Sequence, residues 1–103
     1  MEMVNRSRLY DVAIDIIDLV IEKNRQYGDA YIENGELGIY IRLSDKFARL
    51  KTLWNKNKLM EDLSESQKNF ICETLTDIVG YCLLWLERYY HQDDVDIEID
   101  KVL

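Results

Sequence analysis

The sequence predicts an all-α fold, a small bundle of about three to four helices that ends in a short extended tail. Three observations lead there. No proline occurs in the 103 residues, so no position forbids a helix interior. Glycine is confined to Gly28, Gly35, Gly38 and Gly80. The long segments between breaks repeat their apolar residues every three to four positions, the helical period rather than the strand period.

The first helix can open on Asn5, whose side-chain oxygen suits an N-cap. Leu9, Ala13, Ile16, Ile17 and Val20 then share one face, and Gly28 offers a C-cap. The opposite stripe, Asp11, Asp15, Asp18 and Glu22, reads as the solvated face of an amphipathic helix, with a multi-carboxylate metal face as the sharper alternative. Residues 29–38 contain three acids and two of the four glycines, which predicts a loop. A second helix is expected from Gly38 or Ile39, with Leu43, Phe47, Leu50 and Trp54 inward and Arg42, Asp45, Lys46 and Arg49 on the remaining surface. A break follows over 55–62. Ser64 and Gln67 have the spacing of a capping box. They open a third helix that carries Phe70, Ile71, Leu75, Ile78, Val79, Cys82, Leu83 and Leu86 to about Tyr90. This helix is apolar around most of its circumference and is expected at the centre. Residues 92–103 alternate acids with Val95, Ile97 and Ile99, a period-two pattern that predicts an extended acidic tail. With no repeat or linker, residues 1–103 are expected to form one domain.

The hydrophobic fraction of 48% is ample for a core. A formal charge of −7 argues against a nucleic-acid polymer as partner, because backbone recognition needs a basic surface. A single nucleotide needs only a local group of cations. Cys72 and Cys82 stand ten residues apart in one helix, roughly 15 Å, too far for a disulfide. There is no signal-peptide pattern, and the longest apolar run, residues 78–86, is far short of a membrane span. The expectation is a cytoplasmic protein with no membrane partner.

Glu73 and Asp77 stand one helical turn apart, and Asp77 directly precedes the most apolar run of the chain. Such a pair can share Mg²⁺, which prefers oxygen ligands and keeps waters that a phosphate can replace. Alternatively, Asp77 pairs with an Arg or Lys of a neighbouring helix. Arg42, Asp45, Lys46 and Arg49 recur at spacings of three and four, a strip that could hold phosphates and add Asp45 to a metal site, or that could be an ordinary salt-bridged surface. Lys23 and Tyr27 lie four apart, which suits a stacked base beside its phosphate, whereas Arg25 fits the helix C-terminal dipole. Trp54, Trp85, Tyr81 and Tyr89 read as core or interface aromatics. His91 has no partner from which nucleophilic catalysis could be argued. Gly-rich phosphate loops, zinc spacings and nucleophile elbows are absent.

Three stretches, KNRQYGDA at 23–30, GIYIRLSDKFARLKTL at 38–53 and ETLTDIVGYCLLWLE at 73–87, resemble the nucleotide modification associated domain 1 family. Those short helical proteins are common in phages and bacteria. The group is similar in turn to the all-α nucleoside triphosphate pyrophosphatases of the MazG and dimeric dUTPase type. The resemblance implies a MazG-like fold, a nucleotide ligand, and Mg²⁺-dependent attack of water between the α and β phosphates, giving a monophosphate and pyrophosphate. It places the catalytic and metal-binding roles on Asp45, Lys46, Glu73 and Asp77, and phosphate contact on Arg49. It sets Lys23, Tyr27 and Arg42 near the base or outer phosphates, with Tyr81 lining the pocket. The related pyrophosphatases carry Glu-Glu-x-x-Glu on one helix and Glu-x-x-Asp on the next, and this chain has neither in that form. A non-catalytic nucleotide-binding protein, such as a phage nucleotide sponge, and a ligand-free interaction module are the alternatives. In each case three helices cannot wrap their own apolar surfaces, so a homodimer or larger symmetric oligomer is expected.

Overall fold

The computed structural model describes residues 4–27, 30–54 and 63–90, with side chains over 4–25, 35–53 and 63–90. It is an all-α structure of three helices, α1 (Arg6–Tyr27), α2 (Ala30–Trp54) and α3 (Glu65–Tyr90). The expected C-cap at Gly28, the break over 55–62, His91 and the tail over 92–103 lie outside the described residues.

The helix starts follow local chemistry. Asn5 Oδ1 accepts the backbone N–H of Arg8 at 3.0 Å, satisfying one of the orphan donors of the first turn of α1. At α3 the capping box is reciprocal. Gln67 N donates to Ser64 Oγ at 3.2 Å, and Ser64 N donates to Gln67 Oε1 at 2.9 Å.

Over 30–38 the expected loop is instead helix broken at one residue, while residue 29 lies outside the described residues. Helical backbone begins at Ala30, and only Gly35 departs from it, with φ 57° and ψ −149°. A side chain would resist that positive φ, whereas glycine adopts it at little cost. The glycine count suggested a whole loop, but one glycine is enough to bend the chain while its neighbours stay helical. Near the bend, Nη2 of Arg88 lies 3.7 Å from the place a Gly35 Cβ would occupy.

Both other helices pack against α3, the central place its composition predicts. α3 is also long and apolar enough to cross a membrane by length and composition, which differs from the expectation drawn from residues 78–86 alone. α1 comes close to α3 at Gly80, where an added Cβ would stand 3.0 Å from Val20 Cγ2. Three residues further along α1, Lys23 meets Asp77, three residues earlier on α3. The pairings 20 with 80 and 23 with 77 step in opposite directions, so the two helices run antiparallel where they meet. The same reasoning from Gly35 with Arg88 and Lys46 with Asp77 makes α2 antiparallel to α3.

The inward row of α2 is Ile39, Leu43, Lys46, Leu50 and Leu53, all buried or half-buried, at steps of four, three, four and three. Ile39 is its most enclosed member, 1% exposed. Two expectations change as a result. Phe47, expected inward, is exposed, and Lys46, expected on the outer surface, belongs to the inward row. The side chain of Trp54 lies outside the described set. On α3, Thr74 and Ile78 are buried, and the Thr74 hydroxyl is satisfied by donating to the Phe70 carbonyl at 2.7 Å.

The Gly80 contact yields a test. Gly80→Leu should destabilise the fold by about 1–3 kcal/mol, because the new side chain must push α1 away from α3. Gly80→Ala should be close to neutral, since about 1 kcal/mol of helix propensity offsets the tight methyl. Urea unfolding of both variants measures the difference.

Candidate functional site

The three helices converge on one carboxylate. Asp77 holds Lys46 Nζ of α2 at 3.0 Å on Oδ2 and Lys23 Nζ of α1 at 3.3 Å on Oδ1. Each partner comes from a helix row that faces inward. Lys46 continues the apolar row of α2, and Lys23 follows Ile16 and Val20 at steps of four and three on α1. On α3, Asp77 lies in angular position between Gly80, which meets α1, and the buried pair Thr74 and Ile78. It therefore sits where cations from both neighbours can reach it.

Burial differs across the group. The Lys46 side chain is 15% exposed, Asp77 26% and Lys23 52%. Partial burial raises the pKa of Asp77. The hydrogen bond from Lys46 and the charges of Lys23 and Lys46 outweigh that effect, and hold the carboxyl below its ordinary value of 3.8. The pair with Lys46 is the stronger element, while water screens the half-exposed Lys23.

The remaining expected residues fall around this centre unequally. Arg42 and Arg49 are exposed on α2, four residues before and three after Lys46, and so flank it on the same side of the helix. Arg49 pairs with Asp45 at 3.4 Å within the helix. Tyr81, half-buried, lies one turn from Asp77 on α3. Glu73 lies one turn on the other side, exposed and without an ion pair to a described residue. The Tyr27 side chain is outside the described set. Arg25 pairs with Glu22 at 3.0 Å.

Asp45, Glu73 and Asp77 can be tested as ligands for a shared Mg²⁺. The ion needs near-octahedral oxygen donors at about 2.0–2.1 Å. Here an ammonium occupies each oxygen of Asp77, and Arg49 engages Asp45. No group of three or more His, Cys, Asp or Glu side chains converges among the described residues. As arranged in this chain, the three carboxylates do not form one ligand set, and lysines supply the positive charge at Asp77. The free thiols of Cys72 and Cys82 are both exposed.

Sequence reasoning offered an Arg or Lys of a neighbouring helix as one partner for Asp77, and the structure supplies a lysine from each of the two neighbours; that both would meet the same carboxylate was not foreseen. The signal that joins them was available: Lys23 and Lys46 are the charged members of otherwise apolar rows. No family model, curated protein or solved structure matches the chain.

The pH dependence of stability follows from Asp77. A carboxyl whose folded pKa lies below its unfolded value contributes stability above the unfolded value and loses it as pH falls through the folded one. The wild type should therefore lose stability as pH drops below about 3.8, and Asp77→Asn should flatten that part of the profile. At neutral pH, Asp77→Asn should cost about 1–3 kcal/mol, because Lys46 is left enclosed without its counter-charge. Chemical unfolding of both proteins from pH 2.5 to 7 measures the two effects.

Proposed function

We propose that the protein binds a nucleotide through its phosphates at the junction of the three helices. One observation carries this reading: in a chain of formal charge −7, two lysines from different helices converge on a single carboxylate. The group keeps one net positive charge, and Arg42 and Arg49 extend it along α2.

Lys23 is the mobile member. Half exposed and held at 3.3 Å, it can turn from Asp77 to a phosphate oxygen at small cost, while Lys46 stays on the carboxylate. Arg42 supplies planar, bidentate donors for the further phosphate oxygens, and Arg49 can join it by exchanging its exposed pair with Asp45. Tyr81 offers a ring edge one turn from Asp77, and Tyr27 ends the helix that carries Lys23. The resemblance of 23–30, 38–53 and 73–87 to a nucleotide-handling family supports the same ligand class. The cations already engaged at Asp77 and Asp45 favour binding over metal-assisted hydrolysis. A cytosolic location suits such a ligand.

Thermal shift with a panel of common and modified nucleoside mono-, di- and triphosphates tests the proposal, each run with and without Mg²⁺ and followed for pyrophosphate release. A ligand present at a hundred times its Kd should stabilise the fold by about 2.7 kcal/mol. Lys23→Ala should weaken binding about tenfold or more, the scale of one charged hydrogen bond, with little effect on the unliganded fold. Mg²⁺-dependent pyrophosphate release would assign the hydrolase instead. If no nucleotide shifts the transition, the triad is a structural tie alone.

A further inference from the structure

α2 and α3 keep one register over three turns. Lys46 meets Asp77, and eleven residues away on each helix Gly35 meets Arg88. Eleven residues make three helical turns and about 20° more, so Asp77 and Arg88 lie almost in line on α3, roughly 16 Å apart along its axis. Tyr81 and Leu84, both half-buried, occupy the same strip between them. The shared register sets Arg42 of α2, which is exposed, level with Tyr81.

Arg88 is a cation of this strip with no counter-charge among the described residues. It is half-buried near the end of α3, and its Nη2 lies 3.7 Å from the place a Gly35 Cβ would occupy. Its Nε is buried and has no hydrogen-bond partner. A donor cut off from water without an acceptor is costly, and a folded protein keeps one where strain, an ion or a ligand explains it. The helix dipole accounts for a cation in the last turn of α3. It does not account for a guanidinium that reaches α2 with a buried donor unpaired.

We propose that Arg88 is a second anion anchor, and that the junction takes a nucleotide with phosphate groups on both sides of its sugar. One phosphate meets Lys23 and Arg42, the other meets Arg88, and the nucleoside lies against Tyr81 and Leu84 between them. This ligand class rests on the nucleotide reading of the junction and narrows it.

Span decides between ligand arrangements. Two phosphates in one chain are too close together to touch cations set three turns apart, whereas a ribose between them adds reach. It also places the base beside the half-buried ring of Tyr81, where an aromatic face can stack. A guanidinium holds phosphate oxygens through two parallel N–H donors, so a phosphate on the Nε edge supplies the acceptor that Arg88 lacks.

Calorimetric titration of the full chain with nucleoside 3′,5′-bisphosphates and nucleoside 5′-diphosphates of the common bases tests this, because each pair carries the same number of phosphates in a different arrangement. The expected result is at least one base whose bisphosphate binds on the order of tenfold tighter, the scale of one charged hydrogen bond. Arg88→Met, which keeps the apolar stem, should reduce the bisphosphate to the affinity of the diphosphate, and Arg88→Lys should fall between. Equal affinity of the wild type for the paired forms would overturn the assignment of Arg88 and leave the junction as a nucleotide site. So would an Arg88→Met protein that is less stable without ligand and binds both forms equally weakened, the mark of a structural tie. If neither form binds at any base, the nucleotide reading falls and the second anchor with it.

Discussion

The fold is organised around the charge of Asp77. A carboxylate in the middle of the most apolar helix is costly to enclose unless it is paired, and the pairing available here comes from two other helices at once. Lys46 and Lys23 approach separate oxygens, so one ionised group ties both neighbours to α3, firmly through Lys46 and loosely through the half-exposed Lys23. Hydrophobic contact is non-directional and would allow α1 or α2 to slide by a turn. An ion pair that must close does not. With few buried side chains among the described residues, this specificity matters more than the net energy of the pair, which for partly buried ions is small.

Register and close approach are linked. Val20 rests close to α3 because Gly80 leaves room there for no more than a methyl group, and that contact sets the distance from which Lys23 reaches Asp77 one turn away. On the other side, Ile39 seals α2 to the bundle and Lys46 follows it by seven residues on the same row. A lysine is suited to that place because its methylene stem packs along apolar surface while its ammonium extends to the charge. The positive φ at Gly35 gives α2 its bend in the preceding turns, beside the Arg88 guanidinium. Apolar rows thus carry the helices, and a few small or charged members fix how they meet.

The sequence disclosed what is local and hid what is distant. The Asn5 cap, the Ser64 and Gln67 box, and the end of α3 near Tyr90 rest on residues within one turn of each other, so they were readable directly. The bend at Gly35 was read as a loop because composition counts glycines but does not show that a single one suffices. Lys46 and Phe47 were exchanged between faces by the ordinary assumption that an aromatic points inward and a lysine outward. That assumption fails when an inward carboxylate on another helix needs a partner. Lys23 and Asp77 are 54 positions apart, and no periodicity within either helix relates them. The charged interruptions of apolar rows were the clue, one that becomes legible when each row is followed through its polar member.

The same arrangement constrains how a ligand could engage the site. An anion drawn to Lys23 competes with Asp77 for a half-exposed ammonium, so binding exchanges one ion pair for another near the surface, and the more enclosed Lys46 keeps the carboxylate paired. Binding can therefore proceed without opening the core. Carboxylates already held by cations would have to release them before serving a metal, and at Asp77 that would loosen both helices together. A chemistry that leaves Lys46 in place is the one compatible with the fold's stability. It favours capture of phosphate by exposed cations over rearrangement around a metal.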